Sequence, residues 1–285
     1  MANAPGPRRL VLALAALPLL LACTVPAAPA PAAPPAPPAP AVGRTDTATS
    51  TPSASPTATP TATPTPRTRM VVPAGAVEVE RGTSARREIA FTFDCAAHSG
   101  PTDEILRVLR EERVRVTWFM VGVWARDHQE LTKEIAREHE IANHSWAHPD
   151  YRDLSAAEIA ADLEENERFL LALTGQTTKP LWRAPSGARD QRVLEAAAAA
   201  GWPLHIFWTI GHDERGIVTG DTGDWRGIPA AEVWANTVRA AGLGPGLITV
   251  SHCDAPATAQ VMRDTIRLFR ERGLEIVTVS ELLRP

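Results

Sequence analysis

The sequence is short of three things, and each shortage excludes a class. Charge of one sign is missing: 33 acidic residues stand against 29 basic ones, for a formal net charge of −4. No basic surface of the kind nucleic acid requires is expected, and so no nucleic-acid partner. Cysteine is scarce, with only Cys23, Cys95 and Cys253, which excludes a disulfide-dense scaffold. The N-terminal apolar run, Leu10 to Leu21, is about a dozen residues, too short to cross a ~30 Å hydrocarbon core as a helix. What remains is room for one large domain or two small ones in 285 residues.

The short apolar run follows Arg8 and Arg9, the pattern of a cleavable export signal. It ends in Leu20-Leu21-Ala22-Cys23, which resembles the lipobox of bacterial lipoproteins. The resemblance implies a signal peptide over 1–22 and a diacylglycerol on the Cys23 thiol, hence a membrane attachment through lipid alone. The segment 23–70 is almost entirely Pro, Ala, Thr and Ser. It carries too little apolar surface to offset the entropy of ordering, so it reads as a disordered, semi-rigid tether. An exported protein is expected, on the outer face of the cytoplasmic membrane or elsewhere in the envelope, with a target some distance from the bilayer.

The texture changes at about Ile89. Ile89-Ala90-Phe91-Thr92-Phe93 reads as a buried strand ending at Asp94. Further strands are expected over Val114 to Val121, near Ile141, over Pro180 to Arg183, His205 to Ile210, Leu247 to Val250 and Leu274 to Val277. Amphipathic helices separate them. Thr102 is expected to cap the first, and Ser155 with Glu158 forms a capping box on a long one that Thr174-Gly175 closes. The alternation predicts an α/β fold, a distorted (β/α) barrel of about seven units with parallel strands, preceded by the disordered tether. In such a barrel, chemistry sits on the loops after the strand C-termini.

Polar residues gather at those places. Asp94 follows an apolar strand directly, where a carboxylate is costly unless paired or used. His144 and His148 are four residues apart, and on one helical turn both would face the same point, as a metal with open positions requires. Arg183 ends a short extended piece and could orient a carboxylate. His252 follows a late strand, and Asp224-Trp225 precedes it in the chain.

In that order these residues resemble the NodB-homology polysaccharide deacetylases, carbohydrate esterase family four. The likeness covers about 87–283, through Phe91-Thr92-Phe93-Asp94, the stretch from Glu140 to His148, Arg183-Ala184-Pro185, Asp224-Trp225-Arg226, and Leu247 to His252. It implies metal-assisted removal of N-acetyl groups from amino-sugar polymers, peptidoglycan or chitin-like, by a monomer. His144 and His148 would hold the metal, with zinc expected and cobalt, manganese or nickel as alternatives. Asp94 would be the general base, His252 the general acid with Asp224 raising its pKa, and Arg183 would orient Asp94. Trp225, Pro185 and Ser186 would contact substrate.

The chain departs from the family pattern at three positions. Cys95 stands where the family has a second, metal-ligating Asp, Cys253 stands where an Asp commonly follows the last His, and Ser186 replaces an aromatic. An apparent insertion runs from Gly211 to Gly220. By this resemblance the two cysteines lie on neighbouring strands at the catalytic rim, which allows a Cys95–Cys253 disulfide. Two rival readings exclude it or do without it: Cys95 as a thiolate ligand beside the two histidines, or a metal held by the histidines with Asp94 or water. Two other functions stay open, an O-acetyl polysaccharide esterase and a glycan-binding pseudoenzyme.

Overall fold

The structure is a computed structural model and describes residues 70–285. The signal peptide, Cys23 and nearly all of the tether lie outside the described residues.

Eleven strands and eight helices follow one another along the described chain. In order they are β1 (Val77–Val79), β2 (Glu88–Ala90), β3 (Thr92–Cys95), α1 (Thr102–Glu111), β4 (Thr117–Met120), α2 (Gly122–Asp127), α3 (Gln129–Glu138) and β5 (Glu140–Asn143). Then come α4 (Ala156–Thr174), β6 (Leu181–Trp182), α5 (Gln191–Ala199), β7 (Leu204–Ile206), β8 (Ile210–Asp213), β9 (Gly216–Thr219) and α6 (Ala230–Ala241). The last are β10 (Ser251–His252), α7 (Pro256–Glu271), β11 (Glu275–Val277) and α8 (Val279–Leu282). None of these helices is long and apolar enough to cross a membrane.

A seven-stranded parallel sheet in the order β1-β7-β6-β5-β4-β3-β10 forms the frame. From β3 to β7 consecutive strands are neighbours joined by helices, as short crossovers dictate. A seam of single hydrogen bonds bridges the two edges and bends the sheet into a distorted barrel. Gly82 N–H donates to Gly246 O at 2.8 Å, Thr209 N–H to Ile248 O at 3.0 Å, and Ile248 N–H to the Thr209 hydroxyl at 2.9 Å. β2 and β11 form a separate parallel pair.

Strand alternation sorts the core into an inner and an outer layer. Phe93 and Cys95 of β3, with Trp118 and Met120 of β4, lie in the layer between sheet and helices. Phe119, Ala142, Leu181, Ile206 and Ile248 form a second cluster, which Val279 and Leu282 of α8 join. Thr92 and Asp94 share the β3 face opposite Phe93, and so turn towards the barrel interior.

Three local expectations are corrected. Thr102 is the first residue of α1 rather than its cap, and its hydroxyl donates to Cys253 O at 3.0 Å. Leu247 to Val250 is not a regular strand, because its backbone divides its bonds among Ala90, Thr209 and Gly220. The sheet also takes in β1, which lies before the expected start of the domain at Arg87. At three residues, β1 is too short to show a period. The capping box of Ser155 and Glu158 is present on α4, and Gly175 closes that helix at φ 75°.

Candidate active site

Five of the expected residues converge at the C-terminal end of the sheet, in a cleft of about 600 Å³. Asp94, His144, His148, Asp224 and His252 line it, with Trp225 and Ser186 at its walls. Arg183 lies beneath Asp94.

Arg183 leaves β6 with its side chain fully buried. One Nη donates to Asp94 Oδ1 at 2.6 Å and to the Thr92 hydroxyl at 2.9 Å, and Nε donates to Ile206 O at 2.8 Å. The guanidinium stacks 4.0 Å from the centre of the Phe119 ring. Burial alone would push the Asp94 pKa up, but Arg183 first, then His144 and His252, bring it below its ordinary value. Asp94 is therefore a carboxylate with a fixed orientation at neutral pH.

Its second oxygen, Oδ2, lies 3.5 Å from His144 Nε2. The other nitrogen of His144, Nδ1, is 3.0 Å from Arg183 O. A carbonyl can only accept, so Nδ1 carries the hydrogen and Nε2 keeps its lone pair. Burial holds the His144 pKa down at about 4, and the imidazole is neutral. His148 brings its ring to 5.0 Å from that of His144. The two are not on a helical turn, as the spacing alone predicts. They sit on a loop in which Ser145 and His148 take positive φ of 75° and 59°. Side chains hold that loop. Asn143 Oδ1 accepts from Ser145 N–H at 2.9 Å, and Ser145 Oγ accepts from His148 N–H at 2.8 Å.

Between β9 and α6, Asp224 is buried in a turn flanked by Gly223 and Gly227, both at positive φ. Its Oδ1 is 2.7 Å from His252 Nδ1, and its Oδ2 accepts from the backbone N–H of His252 at 2.8 Å and from the Thr258 hydroxyl. Burial opposes charge on His252, but the hydrogen bond and charge of Asp224, with help from Asp94 and Asp221, raise its pKa to about 9. The cleft therefore holds an anionic base and a cationic acid at neutral pH.

Cys95 and Cys253 form a disulfide with their Cα atoms 5.4 Å apart. It joins the residues directly after Asp94 and His252, which are paired in register on β3 and β10. The thiolate-ligand reading of Cys95 is thereby corrected. Its sulfur is bonded, and strand alternation turns it away from Asp94 into the outer core. Pro185 is likewise buried and does not line the cleft; it opens the turn that presents Ser186.

Sequence reasoning missed three residues of the cleft: Trp208, Asp221 and Asp254. Trp208 comes soon after β7 and stacks on Phe207, with ring centres 3.8 Å apart. It supplies an aromatic wall beside Ser186, where the expected aromatic is absent. It falls inside the strand expected over His205 to Ile210, and only the early end of β7 at Ile206 frees it to face the cleft. Asp254 meets His98 at 3.8 Å on the rim. His205 is structural: its Nε2 accepts from Ala184 N–H at 3.1 Å, and Glu78 faces its Nδ1.

The polysaccharide deacetylase family model matches residues 81–205. A chitooligosaccharide deacetylase from Rhizobium leguminosarum bv. phaseoli is 32% identical over 195 residues, which is 66% of this chain and 78% of that protein. The chain belongs to the polysaccharide deacetylase family. Within that family, the peptidoglycan-N-acetylmuramic acid deacetylase PdaA of Bacillus subtilis is 26% identical over 203 residues, 71% of this chain and 73% of PdaA. A solved family-four pseudoenzyme from Bacillus anthracis is 25% identical, with a TM-score of 0.65, over 73% of this chain and 69% of its own. A mutant of the same protein, described as having restored enzymatic activity, matches equally well.

A divalent metal fits part of this deacetylase site. Two histidine rings stand together, and His144 offers a lone pair on Nε2 while its Nδ1–H is held by a carbonyl, the usual support for a metal-binding imidazole. Among the described residues no third His, Cys, Asp or Glu joins them to complete a ready-made cluster.

Proposed function

We propose that this polysaccharide deacetylase is an active, metal-dependent enzyme that removes N-acetyl groups from amino-sugar polymers of the cell envelope. The observation that carries the reading is that the Arg183–Asp94 pair and the His252–Asp224 pair meet at one cleft, which His144 and His148 also line. His144 and His148 would hold the metal, zinc in the first instance, leaving its remaining positions to water and substrate. When bound, the metal would polarise the acetamide carbonyl and acidify water.

The residues then divide the proton work. Asp94, held by Arg183, takes a proton from the attacking water as its oxygen bonds to the acetyl carbon. His252 gives its proton to the departing nitrogen as the C–N bond breaks, leaving acetate and a free amine. Asp224 keeps His252 charged until then. Trp208 and Trp225 give flat apolar walls for sugar faces. A monomer anchored by lipid at Cys23, with the tether as spacer, would carry this domain out to wall polymer.

Mass spectrometry of the products tests the choice of bond. N-acetylated glucosamine oligomers or peptidoglycan should each lose acetyl and gain a primary amine. Acetate released only from O-acetylated xylan would replace this reading with the esterase one.

A second reading is favoured by one observation. With Cys95 tied into the disulfide and turned away, the second family Asp has no substitute, and the Bacillus anthracis relative is a pseudoenzyme. Glycan binding without acetate release under any added metal would establish that reading here.

A further inference from the structure

The insertion from Gly211 to Gly220 folds into the antiparallel hairpin β8–β9, and the reaction above gives it no task. It is firmly built. Asp213 receives two hydrogen bonds from Arg239 of α6, at 2.9 and 2.8 Å. The root packs so tightly on Leu243 that a Cβ at Gly211 would approach it to 2.5 Å. Hairpin and α6 enclose a groove of about 240 Å³, and Asp221 and Trp225 line both that groove and the catalytic cleft. The two spaces therefore lie side by side, with Asp221 and Trp225 as their common wall.

The surface of this groove combines an exposed ring with polar neighbours. Trp225 donates through its indole N–H to Asp221 at 3.2 Å, yet the residue is 62% exposed. The polar edge is anchored while much of the ring stays open. Ile217 on β9 is 68% exposed, an apolar side chain that the fold does not use. Arg226 and Asn236 add polar groups along the same groove. An exposed indole ring flanked by hydrogen-bonding side chains matches the alternating C–H and hydroxyl faces of a pyranose.

We propose that the hairpin groove binds a sugar unit of the same glycan strand, beyond the one being deacetylated, so that the enzyme selects long polymer over short oligomers. This rests on the deacetylase reading of the cleft. It assigns the insertion the role of a distal subsite and makes the enzyme act within a chain.

The test measures binding and turnover separately. Calorimetric titration of the Asp94→Asn protein with β-1,4-linked N-acetylglucosamine trimer and hexamer should show the hexamer binding about tenfold more tightly. Adding Ile217→Ala and Arg226→Ala should abolish that gain, with circular dichroism and the unfolding midpoint showing that the variant is folded. Equal affinity for the two oligomers, no binding of either, or a gain that survives the double substitution overturns the subsite. Acetate release by the unmutated enzyme from the trimer tests the deacetylase reading on its own. Release without any chain-length effect defeats the subsite and leaves the deacetylase standing.

Discussion

His252 owes its charge chiefly to Asp224, with smaller help from Asp94 and Asp221. Burial alone would leave it below 6.5, and Asp224 lifts it to about 9. A general acid works only while protonated, so activity should hold on the alkaline side until pH approaches 9 and then fall. Asp224→Asn removes the charge and keeps the shape. The alkaline limb of kcat/KM should then move down from about 9 towards neutrality, as a pH–rate profile on N-acetylated oligomer would show. An unmoved limb would take the acid's role from His252. Arg183 gives a second residue-scale prediction. Arg183→Met leaves Asp94 buried and unpaired, which costs roughly 3–5 kcal/mol by analogy with other broken buried pairs. Urea unfolding should show that loss together with a fall in kcat, whereas equal stability would mean Asp94 is held by something else. At this scale much of the site was legible in the sequence, because catalytic polar residues interrupt apolar strands and so stand out at Asp94, Arg183 and His252. Trp208 was not, since an aromatic beside a strand looks like core until the fold shows which way the cleft opens. The direction of Cys95 was also hidden, because facing depends on the strand's register rather than on its composition.

Among the elements, β3 and β10 carry the two proton-transfer residues, and their pairing is only two residues long. The disulfide extends that joint by one residue on each strand. It closes a loop of 158 residues, for which the chain-entropy account gives roughly 5 kcal/mol. Replacing Cys95 and Cys253 together by Ala should lower unfolding stability by about 2–5 kcal/mol and reduce kcat more than it raises KM, since base and acid lose their tie. Stability unchanged on reduction would show that the bridge contributes nothing. Elements with local signals were readable in the sequence, and α4 with its capping box and terminal glycine is the clearest. Elements defined by partners were not. Leu247 to Val250 has the composition of a strand, but its bonds go to three different segments, and β1 is recognisable only beside β7.

At the scale of the molecule, the barrel carries a pH liability remote from its chemistry. His139 is buried against Trp118, and neither ring nitrogen has a hydrogen-bond partner among the described residues. Burial first of all, with smaller contributions from nearby arginines, sets its pKa at about 4. The unfolded chain takes up this proton near 6.5 and the folded one refuses it until about 4. Stability is thus whole above 6.5 and declines as pH falls from 6.5 to 4, by on the order of 3 kcal/mol. Urea midpoints across that window should slope less steeply in His139→Leu, with the remainder coming from His144, which burial also holds at about 4, and an unchanged slope would assign the effect to other groups. The fold class itself was readable from the alternation of strands and helices. The edge-to-edge seam was not, since it rests on isolated bonds from Gly82, Thr209 and Ile248 that no period announces.

The central claim is that Asp94, with a metal on His144 and His148, hydrolyses N-acetyl groups although the family's second Asp is missing. The most direct measurement is acetate release from N-acetylglucosamine oligomers and peptidoglycan by the protein stripped with chelator, then resupplied with zinc or cobalt, beside Asp94→Asn treated in the same way. The account predicts release that returns with metal and falls at least a hundredfold in Asp94→Asn, in line with the loss of a general base. Release that ignores chelation, or that survives in Asp94→Asn, would contradict it.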